Sequence, residues 1–172
     1  MKHILTTTTI LLVVSSLHAQ EKPAQTVAPL PDIAEDITAL NGHFRDVAAF
    51  KIDRDDRLVT DYFDHGARYR EDVAYLEFLN AGGVSFNPEE NTVMVKCSEE
   101  KSLDGRSSGK CIDKEVMKNG AISQTGRMNL PVPAGDANGA KAIILLGNLL
   151  RDSQLVQRSE ADATNPKRKR KN

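Results

Sequence analysis

The stretch Ala140-Lys141-Ala142-Ile143-Ile144-Leu145-Leu146-Gly147-Asn148-Leu149-Leu150 decides the architecture. Its apolar positions Ala140, Ile143, Ile144, Gly147 and Leu150 recur at intervals of three and four, and Leu145, Leu146 and Leu149 widen the stripe. A stripe that wide predicts a helix with heavy burial. Asp136 is placed to cap it, Pro131 and Pro133 end whatever precedes it, and Arg151 and Arg158 suit the negative end of its dipole. The predicted helix covers about 137–156.

Upstream, the apolar period changes from helical spacing to alternation. Phe50 and Ile52 alternate with Lys51 and Asp53, and Arg54-Asp55-Asp56 turns the chain into Leu58–Tyr62. His65-Gly66 is the next turn. Tyr69–Leu79 fits two periods: Tyr69, Val73 and Leu76 suit a helix, Val73 and Tyr75 a strand, and the extended reading is adopted. Val84–Phe86 and Thr92–Cys97 form a hairpin around Asn87-Pro88, where proline presets the turn. Cys111–Val116 and Ala121–Leu130 are further strands, joined at Asn119-Gly120, a pair that favours tight hairpin geometry. Near the start, Asp32 caps a helix over 32–41 with Ile33, Ile37 and Leu40 on one face, and Gly42 is expected to stop it. The expected fold class is therefore α+β: an antiparallel sheet or half-barrel of six to seven short strands closed by one C-terminal helix.

Several pieces of this layout carry a family resemblance: Phe50-Lys51-Ile52, the strand Thr92-Val93-Met94-Val95-Lys96-Cys97, Lys110-Cys111-Ile112, and the closing helix. Over about 45–156 the arrangement resembles small secreted bacterial modules with a pleckstrin-homology-like barrel. That resemblance implies a platform for ligands or proteins rather than an enzyme; a shared layout does not by itself assign a function.

The N-terminus reads as an export signal over 1–19. Lys2 is the positive start, Ile4, Leu5 and Ile10–Val14 the apolar stretch, and Ser15, Ser16 and Ala19 the small residues before a cut after Ala19. The stretch falls well short of the roughly 20 residues that span a bilayer. No later segment is long enough either, so the mature chain is expected to have no transmembrane segment. Residues 20–31, with Pro23, Pro29 and Pro31, form a flexible leader, 32–158 one globular domain, and 159–172 a disordered basic tail.

The 172 residues carry a net charge of −1, which hides an asymmetry. Lys167, Arg168, Lys169, Arg170 and Lys171 put +5 at the end, while 20–166 holds 17 Lys and Arg against 24 Asp and Glu. The body is acidic and its tail is a candidate electrostatic tether, able to make weak contact with polyanions at low salt. Aromatic residues are 5% and Trp is absent, which excludes an aromatic stacking platform for sugars or single strands.

Cys97 and Cys111 are the two cysteines. In an oxidising compartment they pair and close the Ser- and Gly-rich run 98–110. Zinc would want a CxxC or neighbouring histidines, and a redox pair closer spacing. Asp53 and Asp64 have the span of a calcium loop, but Arg57 and Leu58 stand where it needs an oxygen ligand and glycine. Gly105–Lys110 is one residue short of a phosphate loop. No GxSxG and no Cys–His pair is present. After signal removal only His43 and His65 remain, both read as surface histidines. The expected function is a secreted or periplasmic, non-enzymatic module that binds a protein or cell-envelope component, without catalytic residues, metal or cofactor. The alternative is a small metal-dependent hydrolase built on Asp61, Asp64 and His65.

Overall fold

The computed structural model describes residues 30–98 and 109–164. Asp32 opens the first helix, α1 (Ile33–Phe44), by accepting the Ala34 N–H at 2.8 Å. Glu35 and Asp36 in its first turn complement the dipole. The helix runs through Gly42 instead of stopping there. An interior glycine costs about 1 kcal/mol, whereas burying a phenylalanine yields about 2–3 kcal/mol. Phe44 is fully buried, edge-on to Phe50 at 5.2 Å, and that burial carries the helix past the glycine.

The strands that follow are β1 (Ala48–Ile52), β2 (Arg57–Asp64), β3 (Ala67–Tyr75), β4 (Ser85–Asn87), β5 (Thr92–Lys96), β6 (Ile112–Val116), β7 (Ala121–Thr125) and β8 (Arg127–Pro131). They form two antiparallel sheets, one of five strands in the order β1-β2-β3-β6-β7 and one of three in the order β4-β5-β8. The turns follow their residues. Asp53 accepts the N–H groups of Asp55 and Arg57 with one oxygen, which folds the β1–β2 turn. His65 and Gly66 both take positive φ (49° and 79°), the two-residue geometry that matches strand twist. Tyr69–Leu79 resolves into the end of β3 followed by a 3-10 turn, Leu76–Phe78. The β6–β7 connection is a four-residue loop closed by Gly120 N–H to Val116 C=O, not the tight turn expected at Asn119-Gly120.

Ala121–Leu130 is two strands, which raises the count to eight. Gly126 is the corner between β7 in one sheet and β8 in the other. A Cβ there would stand 2.4 Å from the Gly109 carbonyl oxygen, so only glycine lets the chain turn this close to the loop base.

The closing helix α2 (Ala140–Thr164) follows a 3-10 turn, Ala137–Gly139. Asp136 caps it as expected, accepting from Lys141 N–H at 3.0 Å and Ala142 N–H at 2.9 Å. Burial pushes the Asp136 carboxyl up, but these donors and His43 outweigh it and hold the group below its usual range. His43 is not a surface histidine: its Nε2 lies 2.9 Å from Asp136 Oδ2 and its side chain is mostly buried. Gly139 sits where a Cβ would come within 2.4 Å of a Val93 methyl, which brings the helix start down onto β5. The buried stripe of α2 is Ala142, Leu146, Gly147, Leu149, Leu150 and Ser153, so Ala140 and Ile144 turn to solvent. These side chains meet Leu40 and Phe44 of α1, Phe50, Leu58 and Ile112 of the large sheet, and Val93, Met128 and Leu130 of the small one in a single core. α2 continues past position 158 to Thr164. Where α1 crosses α2, Asp36 faces Asp152 with its Oδ2 buried and unpartnered, and burial first, then Asp152, raises its pKa.

Candidate binding surface

Asp61, Asp64 and His65 do not form a metal site. Asp61 lies on the outer face of the large sheet, held by Arg68 at 2.7 Å and Lys51 at 3.3 Å. Burial pushes its carboxyl up, and these two cations more than offset that, leaving it below the usual range. Asp64 and His65 sit at the following hairpin with side chains 75% and 96% exposed, 3.6 Å apart. Among the described residues no group of three or more His, Cys, Asp or Glu side chains could hold a metal ion.

Cys97 and Cys111 are at disulfide distance, Sγ to Sγ 2.07 Å and Cα to Cα 5.8 Å. They close the base of the 98–110 loop at the corner where the Cys97 N–H also reaches the Gly126 carbonyl. No helix among the described residues is long and apolar enough to cross a membrane. Lys167, Arg168, Lys169, Arg170 and Lys171 lie outside the described residues, as do 1–29.

A buried polar seam was missed by the sequence reading. Tyr62, Thr60 and Asp72 point into the space between the sheets, and Asp72 is 1% exposed. Tyr62 donates to Asp72 Oδ2 at 2.8 Å, and Arg70 donates to the same oxygen at 3.0 Å while stacking 3.5 Å over the Tyr62 ring. Arg70 also donates to the Asn129 carbonyl at 2.8 Å, so it spans from β3 to the open side of β8. Burial pushes Asp72 up, with Arg70, Tyr62 and Lys114 pulling the other way. Burial and the Asp72 charge push the Tyr62 phenol well above its usual value, which keeps it a hydrogen-bond donor. The seam is occupied with holding two sheets together. The available signal in the sequence was Arg70 and Asp72, two apart and therefore on one face of a strand.

The strand edges differ in what covers them. Asn41 from α1 pairs with both backbone groups of Phe50 on β1: its amide donates to the carbonyl at 2.9 Å and its oxygen accepts the N–H at 2.7 Å. β8 is reached by Arg70, and β4 is only three residues long and packs near α2. β7 is different. Among the described residues nothing pairs with its outer edge, and Ala121 to Gln124 are all exposed, Ile122 at 70%. Its sequence, Ala-Ile-Ser-Gln-Thr, has no charge and no proline, the devices that ordinarily blunt a free edge. Register sets Ile122 beside Glu115 and Gln124 beside Asp113 on β6; Glu71, one strand further in, is paired with Arg68 at 2.9 Å, whereas Asp113 and Glu115 have no ion pair among the described residues. The outer face next to this edge is therefore acidic.

No family model, curated protein or solved structure matches this chain.

Proposed function

We propose that this chain is exported, loses residues 1–19, and acts in the periplasm or outside the cell as a non-enzymatic binding module that takes a protein partner's extended segment as an added strand on β7. The bare, uncharged edge of β7 carries this reading. Strand addition draws affinity from main-chain hydrogen bonds and specificity from alternate side chains. The segment that fits places an apolar residue beside Ile122 and basic residues within reach of Asp113 and Glu115. The cysteine pair at disulfide distance suits an oxidising compartment.

The test uses a nine-residue peptide alternating valine and lysine, with a valine–glutamate peptide as control. Titrated into isotope-labelled protein, the lysine peptide should shift β7 amides and slow their hydrogen exchange, and Ile122→Asp should weaken binding at least tenfold. Undisturbed β7 amides, equal binding of the glutamate peptide, or a homodimer paired through β7 would each overturn the proposal. N-terminal sequencing of exported material should begin at Gln20, and an intact Met1 in the cytosol would remove the export half.

A further inference from the structure

A second surface concerns the chain's own basic tail. The last turn of α2 ends at Thr164 on the lip of a groove of about 400 Å³. Tyr75, 40% exposed, lines it with the nearly buried Leu76; the Arg57 guanidinium lies 6.0 Å from the Tyr75 ring centre, and Phe78 packs edge-on to that ring at 5.8 Å. The rim of the groove is acidic: Asp55 and Asp56 from the β1–β2 turn, Glu77 from the 3-10 turn, and Glu160 from α2. Arg57 compensates one of these, lying 3.4 Å from Asp55, but among the described residues Asp56, Glu77 and Glu160 have no ion-pair partner. Three elements distant in sequence thus bring four carboxylates around Tyr75 where the described chain stops, with Arg57 as the one cation already among them.

The residues that follow are Asn165-Pro166-Lys167-Arg168-Lys169-Arg170-Lys171. From Thr164, three residues reach about 10 Å when extended, enough to set Lys167 over the groove. Lysine and arginine have the matching chemistry, with aliphatic stems for the Tyr75 ring and cationic ends for the rim.

We propose that Lys167–Lys171 occupies this groove intramolecularly, so that the body's acidic cleft masks the tail and limits its contact with outside polyanions. The five positive charges face four carboxylates, and the covalent link supplies an effective concentration in the millimolar range. The pairing is exposed, so salt weakens it. This goes beyond the strand-addition reading and shares no residue with it.

The experiment follows tryptic cleavage within 167–171 of the full chain at low salt. In an Asp55→Asn/Asp56→Asn/Glu77→Gln/Glu160→Gln variant the tail should be cut about tenfold faster, and the same acceleration should appear in the wild type at 0.5 M salt, after correction for trypsin's own salt response on a free tail peptide. Glu77→Gln and Glu160→Gln singly, both on exposed positions, should give part of the effect and keep the test valid if the quadruple variant folds poorly. The quadruple variant should also bind phosphatidylglycerol vesicles more tightly than wild type, and truncating it after Thr164 should abolish that gain. Equal cleavage rates in wild type and variants would overturn the proposal. So would carbodiimide cross-links from tail lysines to Glu77 or Glu160 that join two chains rather than one.

Discussion

The two edges of the large sheet have opposite fates. At β1 every device is spent on closure: Asn41 takes both free backbone groups of Phe50, and Phe44 stacks against its ring. At β7 a five-residue strand of uncharged side chains is unpaired on its outer edge among the described residues, with Ile122 exposed. Only a closed edge is needed for stability, and a bare one invites pairing with another chain. The N-terminal helix thus covers one edge, and among the described residues no element covers the other.

The largest expected effect strikes the root of the open edge. Replacing both cysteines, Cys97→Ser with Cys111→Ser, reopens a loop of about 15 residues and should cost about 3 kcal/mol in the chain-entropy account. For a domain of this size that is a fall of roughly 6–12 °C in midpoint, read by calorimetry under oxidising conditions. An unchanged midpoint would show that the pair does not staple this corner.

Next comes the closed edge. Asn41→Ala leaves the Phe50 N–H and C=O without partners and should cost about 2 kcal/mol, with faster hydrogen exchange at the Phe50 amide. Ile122→Ala on the open edge should stay within about 0.5 kcal/mol of wild type. If the two substitutions cost the same, the contrast between the edges fails.

The smallest effect sharpens the contrast by improving the helix that does the closing. The Asp36 pKa is raised by burial and by Asp152, so the stability it contributes is full below the ordinary carboxylate range. That contribution is lost as pH rises through the raised folded value. Asp36→Asn should therefore raise stability at pH 7 by about 0.3–0.5 kcal/mol, the usual cost of adjacent like charges, and flatten the acid limb of the stability curve. A variant no more stable at pH 7, or one with the slope intact, would discount the pair.

What could be read in advance was local. Asp32 and Asp136 announced their helices, and His65-Gly66 and Asn87-Pro88 placed their turns, because capping and turn chemistry depend on neighbours in the chain. Three features were not legible in that way. Gly126 reads as a residue inside one strand until the Gly109 carbonyl beside it is known. Gly42 reads as a stop until Phe44 is seen to be buried. The helix beyond position 158 carries no apolar stripe to announce it. The candidate surface was less legible still, since an edge is defined by what fails to pair with it, and strand order here runs from β3 to β6 across nearly 40 residues. The seam of Tyr62, Arg70 and Asp72 was hidden for the same reason.

One residue, Gly126, joins the open strand to the small sheet, so β7 and β8 are a single ribbon bent at a corner. Tension applied to Ala121–Thr125 would travel through that bend directly into Arg127–Pro131, without passing through a flexible linker. Cys97 and Cys111, at disulfide distance, stand at the same corner, where the Cys97 N–H donates to the Gly126 carbonyl. Mechanically, the molecule carries its handle and its rivet side by side.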